Sequence, residues 1–256
     1  MDFKGFLLNG EKSIRIQQSS VDLIPQHWVS QVQSYDPRVV EQQSALLKGG
    51  KLHQYQLQGV AWFYRMFILG LPCLLQDDMG LGKGVQVISL FSLLKEHFMG
   101  GTHLIVVPSL TIGWRNLLYH WLPSFNCYCV RNSVDEEVDF GSFDVVVVSQ
   151  KFFSEHINLF NHTNWSCIVI DDVTRSSCLK KLLLSVSKLQ HSSILLISSP
   201  HVMDEQLLLD CLHVIKPQLF PSLSQVISTD NLQDWIQVVF EILSLCRRKE
   251  DVTQLL

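Results

Sequence analysis

The chain has 256 residues, 47% of them hydrophobic and only 17% charged. That composition supports one sizeable core and excludes both a disordered polymer and two full α/β domains. A net charge of −4 with a pI near 6.2 argues against a self-sufficient, non-specific nucleic-acid binder, whose domain would be strongly basic. Apolar stretches are too short for a signal peptide or a membrane span, so a soluble, intracellular protein is expected.

Residues 1–50 read as an N-terminal appendage. Within it, Ser13-Ile14-Arg15-Ile16 has strand character and Val39–Leu47 has helical character, stopped by Gly49-Gly50. The regular pattern starts at Leu52. A helix is predicted over Tyr55–Leu69, with Leu57, Val60, Ala61, Tyr64 and Ile68 on one face, ended by Gly70-Leu71-Pro72. The short apolar run Cys73-Leu74-Leu75 leads into a Gly-rich turn and a helix over Val85–Phe98. Strand Leu104–Val107 breaks at Pro108 and is followed by a helix through Trp114 to Trp121. Further strands are predicted at Asp144–Val148, Cys167–Ile170 and Ile194–Ile197, with helices near 151–160, 176–189 and 203–215. After Phe220-Pro221 the chain reads as helical and without a sheet element. The expected organisation is the appendage at 1–50, a core domain at 51–225 and a helical tail at 226–256.

Fully apolar strands alternating with helices indicate an α/β fold with a parallel sheet covered on both faces. Ligands in such folds bind at the carboxyl ends of the strands. The polar strand ends Gln76-Asp77-Asp78, Asp171-Asp172 and Ser198-Ser199 collect there. The seven cysteines include no Cys-x-x-Cys pair; Cys127 and Cys129 alternate on one strand face, and all are expected to be reduced and structural. Ten histidines show no His-x-x-x-His spacing, so no metal site of that kind is expected.

The sharpest local signal is Asp77-Asp78-Met79-Gly80-Leu81-Gly82-Lys83-Gly84, between a strand and a helix. A phosphate cradle needs that context: backbone N–H groups at a helix N-terminus, glycines that let the backbone approach, and a lysine for the β- and γ-phosphates. A Gly-rich strand-to-helix turn with a solvated lysine is the alternative. Downstream, Ile168-Val169-Ile170-Asp171-Asp172 puts an acidic pair at a strand end. Asp171 is placed to hold Mg²⁺ and Asp172 to act as a general base; capping of the next helix is the alternative. Arg247-Arg248-Lys249 reads as a solvated helix end.

In order and spacing these motifs resemble the first RecA-like (P-loop NTPase) lobe of the SWI/SNF-type helicase-like ATPases. Leu52-His53-Gln54-Tyr55-Gln56-Leu57-Gln58-Gly59-Val60 is similar to the family's glutamine motif, which places Gln56 on adenine. Asp77 through Lys83 matches the phosphate loop DEMGLGK with one Asp for Glu. The resemblance assigns Asp78, Gly80, Gly82, Lys83 and Gly84 to nucleotide binding. Leu104 through Ser109, with Trp114, matches a motif that lies along the DNA backbone in the family, which makes Ser109 and Arg115 the expected DNA contacts. Asp171-Asp172-Val173-Thr174 stands in place of DEAH, and Leu195 through Pro200 in place of LLTGTP. Asp36-Pro37-Arg38-Val39-Val40, Trp121-Leu122-Pro123-Ser124 and Ile215 through Pro221 look most like the annealing-helicase subgroup, which remodels stalled replication forks.

Several positions depart from the family pattern. Gly84 replaces the Mg²⁺-ligating Thr or Ser, Asp172 replaces Glu, Thr174 replaces His, and Ile197-Ser198 replace Thr-Gly. The second lobe with its arginine finger is not in this sequence, so an incomplete protein, a fragment or truncated form, is expected. Two functions remain open. One is the nucleotide-binding first lobe of a DNA-dependent ATPase, weakly active or inactive alone. The other is a pseudo-ATPase serving as an interaction scaffold. What the resemblance implies beyond this is ATP with a weakened Mg²⁺ site, double-stranded or forked DNA as partner, protein partners, and a nuclear role in chromatin or DNA repair.

Overall fold

The structure, a computed structural model, describes residues 40, 42–109, 111–131, 138–173, 179–200, 205–217, 220 and 232–252. The strand expected at Ser13–Ile16 lies outside them, as do Thr174 and most of Asp36–Val40. Among the described residues seven strands form one sheet: β1 (Cys73–Leu75), β2 (Thr102–Val107), β3 (Cys127–Cys129), β4 (Val145–Ser149), β5 (Trp165–Ile170), β6 (His191–Ile197) and β7 (Ser244–Leu245). Their order is β3-β4-β2-β5-β6-β1-β7, and every pairing is parallel. The helices are α1 (Gln54–Ile68), α2 (Lys83–Glu96), α3 (Ile112–Trp121), α4 (Gln150–Glu155), α5 (Leu179–Val186), α6 (Glu205–Ile215), α7 (Leu232–Leu243) and α8 (Lys249–Val252).

A parallel sheet exposes neither face, so its central strands must be apolar throughout rather than alternating. All six residues of β2 and all six of β5 are buried, as are Val145–Val148 of β4. In register, Ile105 faces Val147 on one side and Val169 on the other. Helix α2 is buried from Val85 to Leu94, apolar around most of its circumference, because it packs against α1 and α3.

The expected elements over 55–215 are present with boundaries shifted by a few residues. Two expectations fail. The first is the helix at Val39–Leu47: residues 42–50 form turns and bends. Ser44 Oγ accepts the Leu46 N–H at 3.1 Å and Ser44 O accepts the Leu47 N–H at 3.2 Å, closing a turn, while the Ala45 N–H is taken by Glu96 Oε1 at 2.8 Å. A short polar side chain bonding its own backbone competes with the helix ladder. The second is the absence of a sheet element beyond 220. Leu74 and Leu75 of β1 pair with Ser244 and Leu245, so the C-terminal segment supplies the edge strand β7. The other edge, β3, pairs with Val145–Val147. No helix among the described residues is long and apolar enough to cross a membrane.

Candidate functional site

The turn after β1 brings most of the predicted site together. Gly80 and Gly82 have φ of +95° and +77°, in the left-handed region where a Cβ is disfavoured. A Cβ on Gly82 would also collide with Gln56 Nε2. Helix α2 opens at the next residue, and its first N–H groups have no helical acceptor, which makes the turn a natural anion seat. Lys83, in the first turn, donates to Asp77 O at 2.5 Å and Asp78 O at 3.4 Å. Burial pulls its ammonium below the usual lysine range, and the charges of Asp77, Asp171, Asp78 and Asp172 oppose that pull. The loop and the acidic pair are therefore one electrostatic unit.

Gln56, the predicted adenine reader, is buried against this loop. Its Oε1 accepts the His53 N–H at 3.0 Å and its Nε2 donates to Leu81 O at 3.3 Å. Asp78 is half-buried; its Oδ2 accepts the Lys249 N–H at 2.8 Å and its N–H donates to Arg247 O at 2.9 Å.

Asp77 is fully buried, and its partner corrects an expectation. Arg247 is not a solvated helix end: it is 7% exposed, while Arg248 and Lys249 are exposed. Its Nε donates to Asp77 Oδ1 at 2.9 Å and one terminal nitrogen pairs with Asp77 Oδ2. That nitrogen also reaches Gln86 Oε1 at 2.7 Å, and the other donates to Tyr55 O. Gln86 Nε2 completes the set on Asp77 Oδ2 at 3.0 Å. A buried guanidinium needs a fork of acceptors, and the Asp77 carboxylate with the Tyr55 carbonyl and the Gln86 amide oxygen supplies it.

Asp171 follows β5 and anchors its N–H on Val106 O at 2.9 Å. Its Oδ2 accepts the indole N–H of Trp114 at 2.7 Å. Burial raises its carboxyl above the usual range, the Trp114 hydrogen bond works against this, and the charge of Asp172 adds to it. Asp172 is half-buried at φ +55°, a backbone region that Asp tolerates better than most residues. Trp114, expected with the DNA-backbone motif, is buried and faces the acidic pair instead. Ser198, at the end of β6, donates its N–H to Leu75 O at 3.0 Å and its hydroxyl to Ser199 O at 3.1 Å.

At position 84 the turn offers Mg²⁺ no side-chain ligand. The ion needs near-octahedral oxygen ligands at about 2.0–2.1 Å. A Cβ on Gly84 would lie 2.6 Å from Leu117 Cδ2 and 3.5 Å from the Trp114 ring, so the direction a hydroxyl would take is filled by apolar atoms. Asp171 Oδ2 already accepts the Trp114 indole N–H. Among the described residues, no group of three His, Cys, Asp or Glu could hold a metal ion.

The predicted DNA contacts lie elsewhere. Ser109 is exposed after β2, and Arg115 is exposed on α3, one residue from the inward Trp114. Arg115 lines a cavity of about 260 Å³ with Thr111, Ile112, Cys127, Cys129 and Arg131. Cys127 and Cys129 share one face of β3, their sulfurs 3.8 Å apart. The Cys127 contact, Arg115, Arg131 and Thr111 draw the Cys129 thiol below its usual range, while the same contact and burial push Cys127 above. Sequence reasoning missed Arg247, Gln86, Leu117 and Lys249. For Gln86 a signal existed, a polar residue amid Val85, Val87 and Ile88 on a buried helix. For Arg247 there was none, since a basic run after an apolar helix is the ordinary pattern of a solvated end.

Residues 55–252 match the family model described as the SNF2-related domain. The chain is 32% identical over 197 residues to the ATP-dependent helicase BRM of Arabidopsis thaliana, covering 66% of this chain and 9% of that protein. It is 33% identical over 138 residues to the human SWI/SNF-related matrix-associated actin-dependent regulator of chromatin subfamily A member 1, covering 50% of this chain and 13% of that protein. The chain thus spans about a tenth of the length of these relatives. In fold it is similar to the Sulfolobus solfataricus SWI2/SNF2 ATPase core in complex with dsDNA, with TM-score 0.68, 22% identity, and 81% of this chain and 47% of that chain covered. The RecA-like lobe expected from the sequence is the fold observed.

Proposed function

The chain belongs to the SNF2-related domain family, and from that premise we propose that it is a nucleotide-binding RecA-like lobe that turns ATP over slowly or not at all. One observation carries the reading: the left-handed turn at Gly80 and Gly82 sets Lys83 and the N-terminus of α2 at the carboxyl end of β1. There the first-turn N–H groups and the Lys83 ammonium would hold phosphate oxygens. Gln56, adjoining the loop, is the proposed adenine reader. Asp172 is the proposed base, one methylene shorter than the family's Glu; displacement by about 1 Å costs on the order of 10²-fold in rate. Domain bounds of 1–50, 51–225 and 226–256 are retained as a proposal for the functional division, with β7 and Arg247 joining the last segment to the lobe.

Double-stranded or forked DNA is the proposed partner, contacted by Ser109 and Arg115, with nuclear work on chromatin or at replication forks. Support comes from the dsDNA complex of the archaeal neighbour, from the chromatin named for the human relative, and from Trp121 through Ser124 and Ile215 through Pro221 for the annealing-helicase subgroup. The scaffold reading gains from one observation, the pairing of Asp171 with Trp114, which withdraws an acidic oxygen from chemistry.

Calorimetric titration with ADP and ATP tests the central claim. Lys83→Ala should weaken binding by at least about tenfold, the equivalent of one charge-assisted hydrogen bond or more. Unchanged affinity would reject the phosphate-loop assignment.

A further inference from the structure

We propose that the phosphate loop takes its nucleotide as the metal-free polyphosphate, and that Trp114 and Leu117 close the position a divalent cation would use. The inference rests on the nucleotide-binding reading above and specifies the ligand form that reading implies.

The loss of the hydroxyl at Gly84 is matched by a filled space. From Gly84 Cα, the direction of a side chain ends at Leu117 Cδ2, 2.6 Å from where Cβ would sit, with two Trp114 ring atoms at 3.5 and 3.7 Å. A methyl group carries no lone pair for a hard cation. Asp171 Oδ2, the oxygen of a predicted Mg²⁺ ligand, is held by the Trp114 indole N–H at 2.7 Å. One helix, α3, therefore supplies both obstructions, through residues three apart that share a face. A single glycine substitution would leave an open gap; here apolar atoms of Leu117 and Trp114 lie in it, and Asp171 Oδ2 has a partner.

A polyphosphate without its cation needs positive charge from the protein. Lys83 lies in the loop, and the Lys249 ammonium stands over Gly80, 3.7 Å from where a Cβ would sit. Lys249 arrives there because Asp78 Oδ2 fixes its backbone N–H. Two ammonium groups and the α2 N-terminus thus surround the proposed phosphate position.

The test is the affinity of the full chain for ADP by calorimetry, once with excess Mg²⁺ and once with a chelator at matched ionic strength. The expected result is equal or weaker binding with Mg²⁺. Gly84→Thr combined with Leu117→Ala and Trp114→Phe, which restores the hydroxyl, opens the space and removes the N–H, should bind ADP about tenfold tighter with Mg²⁺ than without. Should that triple variant not fold, Trp114→Phe alone should still gain a measurable preference for Mg²⁺. Wild-type binding strengthened about tenfold by Mg²⁺ would overturn the proposal. So would variants that stay indifferent to the metal. Failure of wild type to bind ADP under either condition overturns the nucleotide reading itself, a result distinct from binding that depends on metal.

Discussion

Arg247 shows how much one buried side chain can organise. Its guanidinium satisfies both oxygens of Asp77, the carbonyl of Tyr55 and the amide of Gln86, and stacks over the Tyr55 ring at 5.3 Å. It therefore joins the C-terminal segment, α1, α2 and the turn after β1 at one point. Removing it leaves the Asp77 charge buried and unmatched, at a cost of about 3–5 kcal/mol. Arg247→Ala should lower stability to urea by that amount, with Arg247→Lys intermediate because an ammonium cannot supply the fork. A loss below about 1 kcal/mol would place the pair among exposed ion pairs and contradict its burial. Gly80, Gly82 and Lys83 were legible in the sequence because local backbone demands select those residue types. Arg247 was not, because its partner is 170 positions away.

At the scale of elements, the strands were legible wherever burial on both faces forces an unbroken apolar run. Val145–Val148 are all fully buried, each contributing roughly 1.5–3 kcal/mol relative to exposure. The short edge strands β3 and β7 carry no such signal, because among the described residues one side of each has no neighbouring strand and their own residues are half-buried. Strand β2 carries an unusual passenger. His103 is 1% exposed and stacks on Phe91 of α2 with ring centroids 3.9 Å apart. Neither ring nitrogen has a hydrogen-bond partner among the described residues. Burial holds its pKa down to about 3. The folded state keeps it neutral while the unfolded chain protonates below about 6.5, so stability contributed by the neutral ring falls as pH drops from 6.5 toward 3. One proton sets a slope of about 1.4 kcal/mol per pH unit. His103→Phe keeps the stack and should flatten the stability curve between pH 7 and 5, measured by urea unfolding. Parallel curves for the two proteins would refute the assignment.

For the molecule as a whole, charge is the controlling quantity in the proposed DNA contact. A net charge of −4 leaves attraction to phosphate to local groups, and Arg115 and Arg131 line one cavity. Binding to a forked duplex, followed by fluorescence anisotropy, should be weak and fall steeply with salt. Arg115→Glu should reduce the slope of log affinity against log salt by about 1, the loss of one phosphate contact. Tight binding that ignores salt, or a slope unchanged in the variant, would remove DNA from this surface.

The sequence by itself determined the α/β class, the order of the central elements, the glycine turn after β1 and the acidic pair at the end of β5, along with the family resemblance that the family match bears out. All of these are written in local pattern: apolar runs for buried strands, glycines for left-handed turns, charges at strand ends. The tertiary structure decided what those residues do to one another. It alone showed Trp114 turned onto Asp171, Leu117 filling the space beside Gly84, and β7 returning Arg247 to Asp77. Each of these contacts joins positions whose separation along the chain leaves no periodicity to read. Each depends on which strands the sheet sets side by side, and that order is fixed by the packing of the whole core rather than by any local run of residues.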